Sequence, residues 1–294
     1  MAFNLQTFKT RALTAVVFVI VMLTGLLWNQ WSFLVLFSII HFGCWGEYFK
    51  LISKIHNASF HIYTKLGLML IGYGLMLWFC GNTFQVAGYG IRENISLPVS
   101  IAGFILLFIG IFQKIKVDLS SFGAAALGFL YISLSWGLMM DLYNGKYIHF
   151  YDTVFVLYGY TIPVVIIASI WINDTMAYIV GSFIGKTPLS SISPKKTWEG
   201  TVGGIILSVV VVSLVFPLIL FSSPDFNFSI LLIFISAIAA VTGTFGDLLE
   251  SKIKRMAGVK DSGQIMPGHG GFLDRFDSLV FATPFVWLFV KAVL

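Results

Sequence analysis

The sequence predicts an all-α polytopic integral membrane protein of about nine transmembrane helices, with its N-terminus in the cytoplasm and its C-terminus outside. Three observations predict it. Charged residues are 11% of the 294, against about 25% in soluble domains. Hydrophobic residues are 58% and mean hydropathy is +0.92, more apolar surface than a soluble fold of this length can bury, so the solvent is lipid. The remaining charges fall between uncharged runs and are sorted by sign and side.

The runs lie near 12–28, 31–49, 66–80, 98–113, 119–140, 153–173, 201–222, 228–246 and 278–294. The first follows Lys9 and Arg11, as a signal peptide would. No small-x-small cleavage site precedes the second run, so a retained helix is expected. The second run holds Glu47 near its cytoplasmic end, and the third is the shortest. The fourth and fifth are separated by Lys114 and Lys116, and the sixth leads to Asp174. Beyond Asp174, residues 174–185 are apolar but too short to cross alone, which leaves room for a tenth element. Every span must be helical, because a lone strand would leave its backbone unpaired in lipid.

Sidedness follows from the basic residues. Of the 18 Lys and Arg, only Arg92, Lys146 and Lys291 fall on one set of alternate loops; the others share the opposite side with the N-terminus. By the positive-inside rule that side is the cytoplasm. The net charge of +5 mostly reports topology and anionic head groups of membrane lipids, and no nucleic-acid partner is expected. Cys44 and Cys80 sit in apolar runs without ligand-like spacing and read as small core hydrophobes. No repeat or linker divides the chain. A single membrane domain over 1–294 is expected, with N-terminal helices over about 1–150 and a motif-bearing half over about 151–294.

Two cytoplasmic segments, 174–200 and 247–277, carry the chemistry. Asp247 and Glu250 close span eight, and Asp274 and Asp277 open span nine. The i,i+3 spacing puts each pair on one helix face. Four carboxylates at one depth repel unless a cation sits among them, and hard divalent ions such as Mg²⁺ take carboxylate oxygens together with substrate phosphates. Solvated helix ends, with Asp274 and Asp277 simply favouring a helix N-terminus, are the bland alternative for any one acid; two facing pairs favour metal. Between the pairs, Lys254, Arg255 and Lys260 suit phosphate. Gly268, Gly270 and Gly271 let backbone amides approach an anion beside a helix start. His269 could donate to phosphate or handle a proton, although a lone histidine more often only orders a loop. In the other segment, Ser193-Pro194-Lys195-Lys196-Thr197 followed by Glu199 and Gly200 would hold a polyphosphate at a helix start, where plain topology anchors are the bland alternative. Asp174, ionisable at the membrane boundary, is a further candidate.

The run Ser251-x-Ile253-Lys254-Arg255, then Lys260-Asp261, then Pro267-Gly268-His269-Gly270-Gly271-Phe272-x-Asp274-Arg275-Phe276-Asp277 resembles the signature of the phosphatidate cytidylyltransferases (CDP-diacylglycerol synthases). The Ser193–Gly200 block and Asp174-x-x-Ala177-Tyr178-x-x-Gly181 are similar to that family's other shared motifs. The resemblance covers roughly 170–280, and only the helical pattern matches before it. It implies a membrane nucleotidyltransferase of phospholipid biosynthesis in the cell membrane, with its site facing the cytoplasm. CTP and phosphatidic acid would give CDP-diacylglycerol and pyrophosphate with Mg²⁺; the resemblance leaves room for a second, even monovalent, cation and for a homodimer. Catalysis would fall to Asp247, Asp274, Asp277, Lys254, Arg255 and His269, and metal to Asp247, Glu250, Asp274 and Asp277. Substrate would meet Asp174, Ser193, Lys195, Lys196, Thr197, Glu199, Lys260, Asp261, the three glycines and Arg275. The chemistry agrees, since phosphate-to-phosphate transfer needs positioning and charge neutralisation above all. CDP-alcohol phosphotransferases and intramembrane prenyltransferases place several acids on one helix, whereas here they are split over two. A transporter predicts ionisable residues at mid-span, and these spans are almost empty of them.

Overall fold

The computed structural model describes residues 5–113, 118–145, 147–150, 153–220, 226–264 and 270–293. Lys114, Lys116, Lys146, Pro267, Gly268 and His269, singled out above, lie outside these. The elements run α1 (Leu5–Leu27), α2 (Gln30–His56), α3 (Ile62–Trp78), β1 (Gln85–Val86), β2 (Tyr89–Gly90), α4 (Ile91–Asn94), α5 (Ser96–Ile111) and α6 (Leu119–Ala126). A π-helical turn (Phe129–Leu134) leads into α7 (Ser135–Asn144), followed by β3 (Tyr147–Phe150) and β4 (Thr153–Val156). Four long helices complete the chain: α8 (Thr161–Ile184), α9 (Trp198–Leu220), α10 (Phe226–Met256) and α11 (Leu273–Val293).

Among the described residues, seven helical segments are long and apolar enough to cross a membrane: Gln30–His56, Ile91–Ile111, Leu119–Asn144, Thr161–Ile184, Trp198–Ile219, Phe226–Met256 and Leu273–Val293. Leu13–Leu27 and Ile62–Trp78 are apolar but shorter. Among the described residues, the named strands form two hairpins, β1–β2 and β3–β4.

The sixth expected span is corrected at its start. Residues 153–156 are not helical but pair with 147–150 as an antiparallel hairpin, consistent with the run Thr-Val-Phe-Val, β-branched and aromatic throughout. The helix begins at Thr161, with Pro163 in its first turn, where a missing N–H costs no hydrogen bond. Residues 174–184 form no tenth element: they continue α8 without a break past Asp174.

Packing divides the chain into two compact units, 1–140 with 253–276, and 141–252 with 277–294. The signature stretch 253–276 therefore packs in the unit of the N-terminal helices, not in the half that bears the other motifs.

In the first unit α2 is the central helix. Asn29 caps it, its Oδ1 accepting from Trp31 N (2.8 Å) and Ser32 N (2.9 Å) while Ser32 Oγ accepts from Asn29 N. Buried rings surround it: Trp45 lies 5.3 Å from Phe49, and Phe37 lies 5.2 Å from Trp136. α3 and α5 touch backbone to backbone, since a Cβ on Gly67 would come within 2.5 Å of Leu107 N and one on Gly103 within 2.7 Å of Ile71 N. Close approach of this kind replaces the hydrophobic effect, which lipid does not supply.

In the second unit α8 and α9 pack equally closely, with Gly204 against the Asn173 carbonyl and Ala177. Its core holds Val165, Ile166, Val212, Ile235, Val280 and Val286, each fully buried. Asp141 Oδ2 accepts from Trp287 Nε1 at 2.7 Å and lies 3.0 Å from Lys291 Nζ, joining α7 to the end of α11.

Candidate active site

The second unit gathers three carboxylates. α10 runs unbroken through Asp247 and Glu250, which its 3.6-residue period places one turn apart on one face. Asp277 comes from α11. One oxygen from each lies within 4.8 Å of the others, with Glu250 and Asp277 buried and Asp247 half-buried. Three acids this close repel strongly in a low dielectric unless positive charge is supplied, and hard oxygen donors at this spacing could hold a metal ion.

Some of that charge comes from Lys196, whose ammonium forms an ion pair with Asp247. Burial lowers the lysine pKa, but attraction to Asp247, and more weakly to Asp174 and Asp277, outweighs it, so Lys196 titrates above its ordinary value of 10.5. Asp174, Lys196, Asp247 and Asp277 are thus one electrostatic group.

The segment carrying Lys196 is tied down from within. Leu189 N donates to the Lys196 carbonyl (2.8 Å), Lys196 N to that of Ser193 (3.1 Å), and Trp198 N to that of Thr187 (2.9 Å). Thr197 Oγ1 caps α9 by accepting from Gly200 N at 3.2 Å. Glu199 accepts from the amides of Lys186 and Thr187, each at 3.2 Å, and from Thr187 Oγ1 at 2.9 Å. Of the block Ser193–Glu199, Ser193, Thr197 and Glu199 therefore shape the turn, Lys196 reaches the acids, and Lys195 is exposed.

The first unit builds a second polar cluster around Asp274. Lys254 Nζ donates to its Oδ1 at 2.6 Å, and Oδ2 accepts from Ser262 N, Ser262 Oγ and Gly271 N, each at 2.8 Å. Beside it, Glu47 of α2 is 2% exposed. Its carboxylate accepts from Phe272 N (2.9 Å) and Leu273 N (2.8 Å), and lies 2.7 Å from Ser262 Oγ, whose one hydrogen it shares with Asp274. Of the glycine amides that the sequence offers to a phosphate, that of Gly271 faces Asp274, and the next two, of Phe272 and Leu273, face Glu47. Gly271 is needed for that reason, since a Cβ there would run into the Glu47 carboxylate. Gly270 adopts φ +82°, the left-handed region that glycine enters without strain.

Of the four expected metal ligands, Asp247, Glu250 and Asp277 lie together, while Asp274 is engaged by Lys254, Ser262 and Gly271. Arg255, Lys260, Asp261 and Arg275 are exposed, and Gly268 and His269 lie outside the described residues. Glu47 and Ser262 are additions that the motifs do not include. A buried acid in an otherwise apolar run is the one sequence signal for Glu47; Ser262 has none.

The profile of the cytidylyltransferase family matches residues 9–293. The chain is 39% identical over 201 residues to the phosphatidate cytidylyltransferase of Staphylococcus haemolyticus, covering 65% of this chain and 68% of that one. It is 32% identical over 278 residues to the phosphatidate cytidylyltransferase of Staphylococcus saprophyticus, covering 94% and 96%. It is also 47% identical over 127 residues to phosphatidate cytidylyltransferase 4, chloroplastic, of Arabidopsis thaliana, covering 42% and 30%.

Proposed function

The chain belongs to the cytidylyltransferase family, and from that premise we propose that it converts CTP and phosphatidic acid to CDP-diacylglycerol and pyrophosphate at the cytoplasmic face of the cell membrane. The observation that carries the reading is the cluster of Asp247, Glu250 and Asp277 with Lys196 paired to it. A phosphatidate oxygen attacks the α-phosphorus of CTP, a new P–O bond forms, and the bond to the β-phosphate breaks in line, releasing pyrophosphate. All the charge that moves is phosphate charge, so the protein's work is to position and neutralise.

Lys196 meets CTP phosphates from a segment braced by Glu199 and Thr197. The acids Asp247, Glu250 and Asp277 would hold Mg²⁺, and their oxygen donors fit it. When bound, the ion would supply positive charge to the phosphate oxygens of the substrates. The test is direct: detergent-solubilised protein should consume CTP only when phosphatidate is present, releasing pyrophosphate and CDP-diacylglycerol in equal amounts. CTP consumption without phosphatidate, or none with it, would remove the reading.

A further inference from the structure

We propose that Glu47 is a positioning residue for this reaction: from α2 its carboxylate sets the start of α11, and through it the placement of the acids that α11 carries. The inference rests on the function just proposed. Glu47 is distant in sequence from every motif, yet its carboxylate takes the amide of Phe272, just before α11, at 2.9 Å and that of Leu273, its first residue, at 2.8 Å. A carboxylate at that end of a helix meets the positive end of the dipole as well as the unpaired N–H groups.

The contact extends into the preceding loop. Ser262 Oγ lies 2.7 Å from Glu47 Oε2 and 2.8 Å from Asp274 Oδ2. Its single hydrogen serves one carboxylate at a time, but Ser262 N also donates to Asp274 Oδ2 at 2.8 Å, so the residue holds both acids when its hydroxyl turns to Glu47. A Cβ on Gly263 or on Gly271 would meet the Glu47 carboxylate, so both strands of the loop are shaped to admit it. A buried carboxylate is costly unless paired or fully hydrogen-bonded. Glu47 is hydrogen-bonded throughout, and each donor belongs to the loop or the helix start that bears Asp274. Asp277 follows three residues later in the same helix, so a turn of the helix about its axis moves its oxygens too.

Loss of such a hold predicts slower chemistry with little change in substrate affinity. In the full-length Glu47→Gln protein, hydrogen exchange at 270–274 should rise about tenfold or more as the amide side chain gives up part of the hold. Turnover should fall about 10- to 100-fold, with KM for CTP changed less than about threefold. If Glu47→Gln does not fold, Ser262→Ala should show the same pattern in weaker form. Faster exchange with wild-type kcat would make Glu47 a brace for the fold alone and overturn the proposal. Lowered kcat with unchanged exchange, or a loss expressed in KM, would also overturn it. A wild-type protein inactive on CTP and phosphatidate would instead defeat the function proposed above, while the exchange measurement would still report on Glu47.

Discussion

Lys254 Nζ lies 2.6 Å from Asp274 Oδ1, and both side chains are largely covered, 13% and 9% exposed. The pair joins the last turns of α10 to the first turn of α11. Removing one partner of a covered pair leaves an uncompensated charge, so Lys254→Met should lower stability by about 3 kcal/mol and reduce turnover. The double variant Lys254→Met with Asp274→Asn should recover part of the lost stability, as measured by thermal unfolding in detergent. No recovery would mean that the lysine contributes by packing.

Asp277→Asn tests the acid cluster. The substitution keeps shape and removes one of three crowded charges, so in chelator the variant should be at least as stable as the wild-type protein. Mg²⁺ at 100 times its dissociation constant should stabilise the wild-type protein by about 2.7 kcal/mol and the variant far less. CDP-diacylglycerol synthesis should be lost in the variant. Equal Mg²⁺ stabilisation of both proteins would separate Asp277 from the metal.

Lys196 makes a prediction at alkaline pH. Its pKa is raised in the folded protein, burial being outweighed by Asp247, Asp174 and Asp277. A raised pKa means that its stabilising contribution is complete below the unfolded value near 10.5 and is lost as pH rises through the higher folded value. The stability difference between wild type and Lys196→Gln should therefore be constant from about pH 8 to about pH 10 and shrink above about pH 10.5. The same variant should use CTP less well at neutral pH. A difference that does not change with pH would show that the ion pair does not set the stability of this segment.

Trp287→Phe isolates the far end of α11. It removes one hydrogen bond to the Asp141 carboxylate while leaving Lys291 in place. A bond to a charged acceptor contributes about 1.5–3 kcal/mol, so unfolding should come at lower temperature while turnover per folded molecule is retained. Unchanged thermal stability would show that Lys291 alone satisfies Asp141.

Topology can be tested by reporter fusion. The near-absence of Lys and Arg on one set of loops predicts that a reporter after Leu294 lies outside the cytoplasm and one within 186–200 lies inside. Both on one side would defeat the nine-span arrangement.

The membrane class, the helical character of the chain and most of the candidate residues are legible along the chain alone. Each is written in properties that do not depend on partners: apolar run length, the side on which lysines fall, and the i,i+3 spacing of Asp247 with Glu250. The tertiary structure decided the rest. Residues 153–156 became a hairpin because strand pairing within a short β-branched segment is satisfied locally, which hydropathy does not register. Asp274 and Asp277 read as equivalent ligands in the chain, yet one meets Lys254 and Ser262 while the other meets Asp247 and Glu250. Residues three apart on a helix differ by about 60° in direction, enough to give them different neighbours. Glu47 reaches an amide 225 residues away. No local pattern encodes that contact, because it is made by the packing of α2 against the glycine loop and exists only once both are folded.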